Sequence, residues 1–196
     1  MEDARPSAHA ELFALETVVV GQPKRSWWRR YLGPVLAVST VEGTPLAHVT
    51  LTDDTHCLLT TASGERVLRV EQSGPAEFRL SDGTGREVGT VSTGRFVKTA
   101  QLRLRTERGR PLFLTRRGQL SIEWQLTETD PVRSPAPDPA VLGRVTVSTI
   151  DAWIGLQRYL VETVPGLDGS ERRTVIAAVV CLHLLRRPPG SSSAPA

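Results

Sequence analysis

A short segment near the N-terminus combines basic and aromatic residues in the order Lys-Arg-Ser-Trp-Trp-Arg-Arg-Tyr, from Lys24 to Tyr31. Basic side chains attract phosphate headgroups, and each contributes about 1 kcal/mol near an anionic membrane surface. Tryptophan and tyrosine favour the bilayer interface because each has an apolar ring with a polar edge. The segment therefore predicts a ligand-binding surface that is formed by Lys24, Arg25, Trp27, Trp28, Arg29 and Arg30.

The same segment has a purely structural alternative. Its two tryptophans would then fold back to close one end of the domain, while the arginines stay solvated. Nucleic acid is the less favoured anionic ligand, because no recognised binding motif accompanies the charge.

A second basic group lies between positions 95 and 117. Arg103 and Arg105 share one face of a predicted strand, and Arg110 and Arg116 are expected to oppose them on the returning strand. Arginine can bind phosphate in a bidentate manner, so Arg103 and Arg105 complete the predicted ligand-binding set. The alternative is a solvated strand face with glutamate partners. The whole group consists of Arg95, Lys98, Arg103, Arg105, Arg108, Arg110, Arg116 and Arg117, and the candidate partners are Glu107 and Glu123.

Carboxylates, an imidazole and a thiol come together in one short run, Asp53-Asp-Thr-His56-Cys57. Metal binding would need ligand spacings such as H-x-x-E-H or C-x-x-C, which are missing, so a turn between hairpins is the better interpretation. Serine-nucleophile, P-loop and dinucleotide motifs are missing as well. We therefore expect a non-enzymatic protein without a metal or another cofactor.

The elements that must position these residues are mainly β. Short β-branched runs alternate with turns at Gly43, Gly64, Gly85 and Gly109, which recur every 20–25 residues and predict successive antiparallel hairpins. A first strand is predicted over Leu12 to Val20. Residues 155–164 suit either a helix or a strand, and their dense threonine and valine favour a strand. The proline-rich stretch 130–140 is interpreted as a surface loop.

Near the C-terminus, residues 171–187 predict one helix that is apolar on all sides and therefore buried. Its apolar stretch of eleven residues spans only about 16 Å, whereas the hydrocarbon core of a bilayer is about 30 Å thick. Asp168 or Ser170 is the expected N-cap. We expect His183 to be a core histidine that bonds a strand carbonyl, or a residue at the end of the domain. Cys181 should be inert, because an apolar site disfavours its thiolate.

A closed antiparallel barrel of about twelve strands around this helix satisfies both patterns, because closure removes strand edges and the helix fills the interior. The predicted domain covers residues 11–187, with a flexible N-terminus over 1–10 and a disordered tail over 188–196. The net charge of +3 is compatible with an anionic partner without requiring one. The sequence has two cysteines and shows no secretion signal or transmembrane segment. We therefore expect a cytoplasmic protein, which would be attached peripherally to the membrane if it binds lipid.

The repeated hairpins and the ending from Tyr159 to Val180, with its strand, acidic turn and hydrophobic helix, resemble the tubby-like C-terminal superfamily. The likeness is to its phospholipid scramblase-like and LURP-one-related members and covers about Leu12 to Leu185. It implies a twelve-stranded barrel with a central helix and a binding module, which in some relatives recognises phosphoinositide headgroups. Scramblase-like sequences commonly have an acidic residue where His183-Leu-Leu185 stands here. A palmitoylated cysteine cluster and a calcium loop are also missing, so calcium-triggered scrambling is not expected.

Residues and resemblance together predict binding of an anionic lipid or a phosphorylated headgroup at a membrane surface. The alternative is a scaffold protein that uses Trp27 and Trp28 as a hot spot for another protein.

Overall fold

The protein forms a closed antiparallel barrel of twelve strands with a helix inside it. The computed structural model describes residues 12–23, 35–93, 101–118, 121–131, 133, 139–151 and 156–186. The barrel closes where the first strand pairs with the last, with Val19 opposite Leu160. The strands are β1 (Thr17–Gly21), β2 (Leu36–Ser39), β3 (Pro45–Leu51), β4 (His56–Thr61), β5 (Arg66–Gly74), β6 (Glu77–Ser81), β7 (Glu87–Thr93), β8 (Gln101–Thr106), β9 (Pro111–Arg116), β10 (Glu123–Thr127), β11 (Val141–Asp151) and β12 (Leu156–Thr163).

Four of the hairpins share one turn design. In each, a Thr or Asp begins a five-residue turn, its side-chain oxygen accepts a hydrogen bond from the fifth backbone N–H, and the fourth residue is a glycine with positive φ. Glycine is needed there because other residues rarely adopt positive φ. The turns are Thr40–Thr44, Thr61–Glu65, Asp82–Arg86 and Thr106–Arg110. The hairpins that the glycine repeat predicts are thus present in the structure.

The C-terminal helix (Gly169–Leu185) fills the barrel, and every residue from Glu171 to His183 is buried. Strand residues alternate around it, as on β8, where Leu102 and Leu104 are buried and Arg103 and Arg105 lie towards solvent. Asp168 is the N-cap, as one of the two predicted candidates, and Glu171 completes a capping box with it. The helix thus begins and ends two residues earlier than the predicted 171–187.

The two ends of the barrel differ in what they contain. We call the end where the helix begins at Asp168 the N-cap end, and the end where it finishes at Arg186 the C-cap end. All neighbouring strands are antiparallel, so their connections alternate between the two ends. The N-cap end holds the turn between β8 and β9, whose Arg110 reaches the first turn of the helix. The C-cap end holds the beginning of β12, where Tyr159 meets His183.

The structure corrects the predicted bounds of the first strand and decides between the two alternatives for residues 155–164. Residues 12–14 are helical and Leu12 and Phe13 are buried, so the first strand is Thr17–Gly21 instead of 12–20. The ambiguous stretch near position 160 is a strand, as its composition favoured. The predicted flexible ends, 1–10 and 188–196, lie outside the described residues. Within the described part, no helix is long and apolar enough to cross a membrane.

Candidate functional site

The predicted binding residues Lys24, Arg25, Trp27, Trp28, Arg29 and Arg30 lie outside the described residues. The chain positions that flank them are well held at the C-cap end. Gln22 exchanges two hydrogen bonds with Gln157 on β12, through its backbone N–H (3.1 Å) and its side-chain oxygen (2.9 Å). Val35 donates its backbone N–H to Val49 on β3 (2.7 Å). The segment between Pro23 and Val35 therefore leaves and rejoins the barrel at this end.

Arg103 and Arg105 share the outer face of β8, as predicted, but their surroundings differ. Arg103 lies 3.6 Å from Asp130, whose carboxylate also accepts a hydrogen bond from the buried Gln101 (3.0 Å). The segment around Asp130 thus covers part of β8. Arg105 is exposed, and within the described part of the chain no carboxylate pairs with it. Of these two arginines, Arg105 is the one that keeps its charge available to a ligand.

The expected partners across the hairpin are not the observed ones. Arg103 faces Phe113 on β9, and Arg105 faces Pro111, so Arg110 and Arg116 do not oppose them. Arg116 instead donates to the Ser121 carbonyl (2.6 Å). The prediction failed because Arg110 belongs to the turn Thr106–Arg110, and Arg116 lies beyond Thr115, the last residue of β9 that pairs with β8.

The face of β8 lies apart from the described residues that flank the β1–β2 connection. Five steps in barrel order separate β8 from β1, through β9, β10, β11 and β12. Because Arg103 and Arg105 point outward from the wall, they lie on a different surface from the chain ends Pro23 and Val35. Of the predicted ligand-binding set, the structure thus describes Arg103 and Arg105 alone, on the outer face of β8.

Among the described residues of the second basic group, carboxylates also pair with Arg108, Arg110 and Arg117. At the N-cap end, Arg108 pairs with Asp168 (2.8 Å), and Arg110 pairs with both Glu128 (2.9 Å) and Glu171 (2.7 Å). The hydrogen bonds that Arg110 donates to Glu128 and then to Glu171 raise its pKa. These contacts stabilise the barrel, and they leave little charge for a ligand at this end.

The glutamates that we expected beside this group have mixed roles. Glu123 pairs with Arg117 (3.6 Å), as expected, and also with Arg144 (3.7 Å). Glu107 instead joins the helix to a neighbouring turn, because it pairs with Arg173 (2.6 Å) and with Arg86.

The Asp53–Cys57 run forms the turn between β3 and β4, as predicted. The Asp53 carboxylate accepts hydrogen bonds from the backbone N–H groups of Thr55 and His56, both at 2.8 Å, and these lower its pKa. His56 lies between Asp53 (2.8 Å) and Glu71 (3.7 Å). No group of three or more potential metal ligands occurs among the residues that the structure describes. The arrangement therefore serves the turn.

Polar side chains line the inner wall at the C-cap end. His183 Nδ1 lies 3.3 Å from the buried Tyr159 hydroxyl, which also donates to Gln157. The Arg186 guanidinium lies over the Trp124 ring, 5.5 Å from its centre. Burial raises the pKa of Tyr159 to about 12, although Arg186 opposes the shift. His183 is thus buried near the end of the barrel, and its 3.3 Å contact is with the Tyr159 hydroxyl, whereas the sequence led us to expect a strand carbonyl.

The two cysteines are buried free thiols. Burial raises the pKa of Cys57 to about 12 and that of Cys181 well above its usual value. The prediction that Cys181 is inert fits this setting, because the thiolate is the reactive form.

Comparison with known proteins supports a likeness of fold alone. The chain is similar to an X-ray structure of a protein from Arabidopsis thaliana, with a TM-score of 0.58, 12% sequence identity, and coverage of 91% of this chain and 96% of that one. This likeness fits the twelve-stranded barrel that the tubby-like resemblance implies. No protein-family model matches the chain, and no curated protein matches it.

Proposed function

We propose that this protein is a non-enzymatic binding module that attaches to an anionic amphiphile, most simply the anionic surface of the cytoplasmic membrane. In this proposal it is a scramblase-like or LURP-one-related member of the tubby-like superfamily. The segment from Lys24 to Tyr31 carries the interaction, and Arg105 adds a cation on the wall that no carboxylate pairs with among the described residues.

The occupied interior of the barrel is the observation that carries the proposal. A helix with thirteen consecutive buried residues fills the space that other barrels use for a ligand. Binding then falls to the outer wall and to the connections between strands, where functional residues usually lie.

The chemistry of the β1–β2 connection suits a phospholipid surface better than a small soluble ligand. Four basic residues offer about 1 kcal/mol each against an anionic surface, while Trp27, Trp28 and Tyr31 suit its interfacial zone. A small anion would use only one or two of the charges and none of the aromatic rings. The combination therefore favours a lipid headgroup within a bilayer.

Vesicle sedimentation tests the proposal. The full chain should sediment with vesicles of phosphatidylcholine and phosphatidylserine, and a variant with Trp27, Trp28, Arg29 and Arg30 changed to Ala should stay largely in the supernatant. A variant with Arg66 and Arg69 changed to Ala is the control. Both arginines are exposed, and neither has an ion-pair partner in the described part of the chain. Equal recovery of the wild type and the quadruple variant would refute the proposal.

The scaffold alternative makes a different prediction in the same experiment. If Trp27 and Trp28 form a hot spot for another protein, vesicles will not recruit the wild type, and affinity purification will return one protein in stoichiometric amount. That result would replace the lipid proposal.

A further inference from the structure

We propose that the mouth of the barrel at the C-cap end is a binding site for a phosphate monoester. The site consists of the Arg116 guanidinium at the end of β9, the Arg186 guanidinium at the end of the helix and the Trp124 indole on β10, and we call it the C-cap site. None of these residues belongs to the segment from Lys24 to Tyr31. The inference therefore goes beyond the proposed function and does not depend on it.

The strand register places Arg116 on the inner face of the wall. Arg116 pairs with Trp124 across β9 and β10, and Leu114 pairs with Leu126 in the same way. Leu114, Leu126 and Trp124 are buried in the core, and directly paired residues lie on one face of a sheet. The half-buried Arg116 therefore projects into the mouth of the barrel, where its Nε donates to the Ser121 carbonyl (2.6 Å).

The helix brings a second guanidinium to the same tryptophan. Arg186 is the C-cap of the helix, and its guanidinium carbon lies 5.5 Å from the centre of the Trp124 ring. The same charge lies near enough to the buried Tyr159 hydroxyl to oppose the rise in the pKa of that group. Two arginines thus approach one indole, one from the wall and one from the helix.

Neither arginine of the C-cap site pairs with a carboxylate among the described residues. Glu123 neighbours Trp124 along β10, but it lies on the outer face of the strand. There it pairs with Arg117 (3.6 Å) and Arg144 (3.7 Å). The inner face at the C-cap end therefore holds two half-buried cations without a counterion from the described part of the chain.

The N-cap end shows how this protein treats half-buried arginines elsewhere. Arg110 pairs with Glu171 (2.7 Å), and Arg173 pairs with Glu107 (2.6 Å). A partly buried charge loses hydration, and an opposite charge offsets that loss. The contrast between the two ends indicates that the counterion of the C-cap site comes from outside the chain.

The Trp124 indole supplies a third donor to the site. Its side chain is completely buried, and its Nε1–H has no hydrogen-bond partner within the described part of the chain. Buried donors are nearly always paired in native structures. An oxygen atom of a bound anion would supply the acceptor that this N–H lacks.

Charge and shape select the class of anion. A phosphate monoester has a charge of about −1.5 to −2 at pH 7 and three acceptor oxygens. Two guanidiniums match that charge, and each can bind two oxygens in a bidentate manner. The carbonyls at the helix end offset only about half of one positive charge. A carboxylate or a phosphate diester has a single negative charge and would satisfy one arginine only.

Isothermal titration calorimetry with inorganic phosphate and with glycerol 3-phosphate tests the site. The wild type should bind both, and it should bind acetate at least about tenfold more weakly. Arg116→Ala and Arg186→Ala should each weaken phosphate binding by about tenfold or more, because each removes a charge-assisted contact. Tighter binding of acetate than of phosphate would overturn the proposal.

Arg117→Ala is the matched control for Arg116→Ala. It removes the same charge from the next residue, but Arg117 is 61% exposed and pairs with Glu123 on the outer face. The phosphate affinity of this variant should stay within about twofold of the wild type. Equal phosphate affinities for the wild type, Arg116→Ala and Arg186→Ala would overturn the proposal.

Two further measurements apply if an alanine variant fails to fold. Arg186→Lys keeps the positive charge at the helix end but lacks the planar fork of arginine, so it should fold and bind phosphate more weakly than the wild type. The indole N–H resonance of Trp124, assigned by its loss in Trp124→Phe, should shift when phosphate is added. An unshifted resonance, or wild-type affinity in Arg186→Lys, would overturn the site.

Vesicles distinguish a lipid from a soluble source of the phosphate. Phosphatidic acid has a phosphate monoester, whereas phosphatidylserine has a diester. With a lipid source, Arg116→Ala should sediment less than the wild type with phosphatidylcholine vesicles that contain phosphatidic acid. With a soluble source, the two should sediment equally while glycerol 3-phosphate still distinguishes them. No binding of inorganic phosphate, glycerol 3-phosphate or phosphatidic acid would overturn the site, whereas no binding of phosphatidylserine vesicles would overturn only the proposed function.

Discussion

The Arg110 guanidinium lies 2.7 Å from the Glu171 carboxylate and thereby joins the β8–β9 turn to the first turn of the buried helix. Two further pairs join the same turn to the same helix end, Arg108 with Asp168 (2.8 Å) and Glu107 with Arg173 (2.6 Å). The turn thus contributes charges of both signs, and the beginning of the helix provides an opposite charge for each of them. This interlocking fixes where the helix begins inside the barrel.

Removing one partner of the central pair should destabilise the protein. Arg110→Ala leaves Glu171, which is only 9% exposed, without its cation, and we expect a loss of about 2 kcal/mol in the free energy of unfolding by urea. Arg117→Ala is the control, because that arginine is 61% exposed and 3.6 Å from Glu123, and it should cost less than about 0.5 kcal/mol. Equal losses for the two variants would show that the pair does not anchor the helix.

Asp82 should make stability depend on acid pH. The hydrogen bond from the Thr84 hydroxyl (2.6 Å) and bonds from backbone N–H groups lower the pKa of Asp82 to about 2. The unfolded state therefore binds more protons between about pH 4 and pH 2, so the stabilising contribution is present above this range and is lost as the pH falls through it. Asp82→Asn should flatten this part of the curve of unfolding free energy against pH.

Thr84→Ala supplies the matched control for this prediction. It removes the main hydrogen bond to Asp82 but keeps the carboxylate, so the acid-induced loss of stability should be smaller and should end at a higher pH than in the wild type. An Asp82→Asn protein with an unchanged acid profile would contradict the assignment.

Gly89 should tolerate substitution less well than the turn glycines. Its φ is +153°, and a Cβ atom there would lie 2.5 Å from the Arg105 carbonyl oxygen on the neighbouring strand. Gly64 also has positive φ (+90°), but a Cβ there would meet open space. We expect Gly64→Ala to cost about 1 kcal/mol and Gly89→Ala about 3 kcal/mol in urea unfolding. A smaller loss for Gly89→Ala than for Gly64→Ala would show that the strands separate without cost.

The hairpins and the helix could be predicted from the sequence because their signals are local. Turn glycines such as Gly43 recur within single hairpins, and the helix has no polar face between Val175 and Leu182. Residues 12–14 are helical and do not belong to the first strand. A short run rich in apolar residues does not distinguish a buried helical turn from a buried strand.

The ion pairs between the β8–β9 turn and the helix could not be predicted because their partners are distant in sequence. Arg110 and Glu171 are 61 residues apart, and Glu107 and Arg173 are 66 apart, so only the closed barrel brings them together. The same holds for Asp130, which pairs with Arg103. Asp130 lies in a loop whose position could not be predicted from composition alone. Of the predicted binding surface, the sequence identifies the residue types, and Lys24 to Arg30 lie outside the described residues.

Ala178 offers the most direct test of the central helix. It is completely buried among apolar neighbours in the middle of the helix, and a lone charge there costs several kcal/mol. Ala178→Asp should therefore abolish the soluble protein or its cooperative thermal unfolding. Val41→Asp is the control, because Val41 is exposed in a turn and should tolerate the charge with little loss of melting temperature. A soluble Ala178→Asp protein with a cooperative transition near that of the wild type would mean that the helix does not lie inside the barrel.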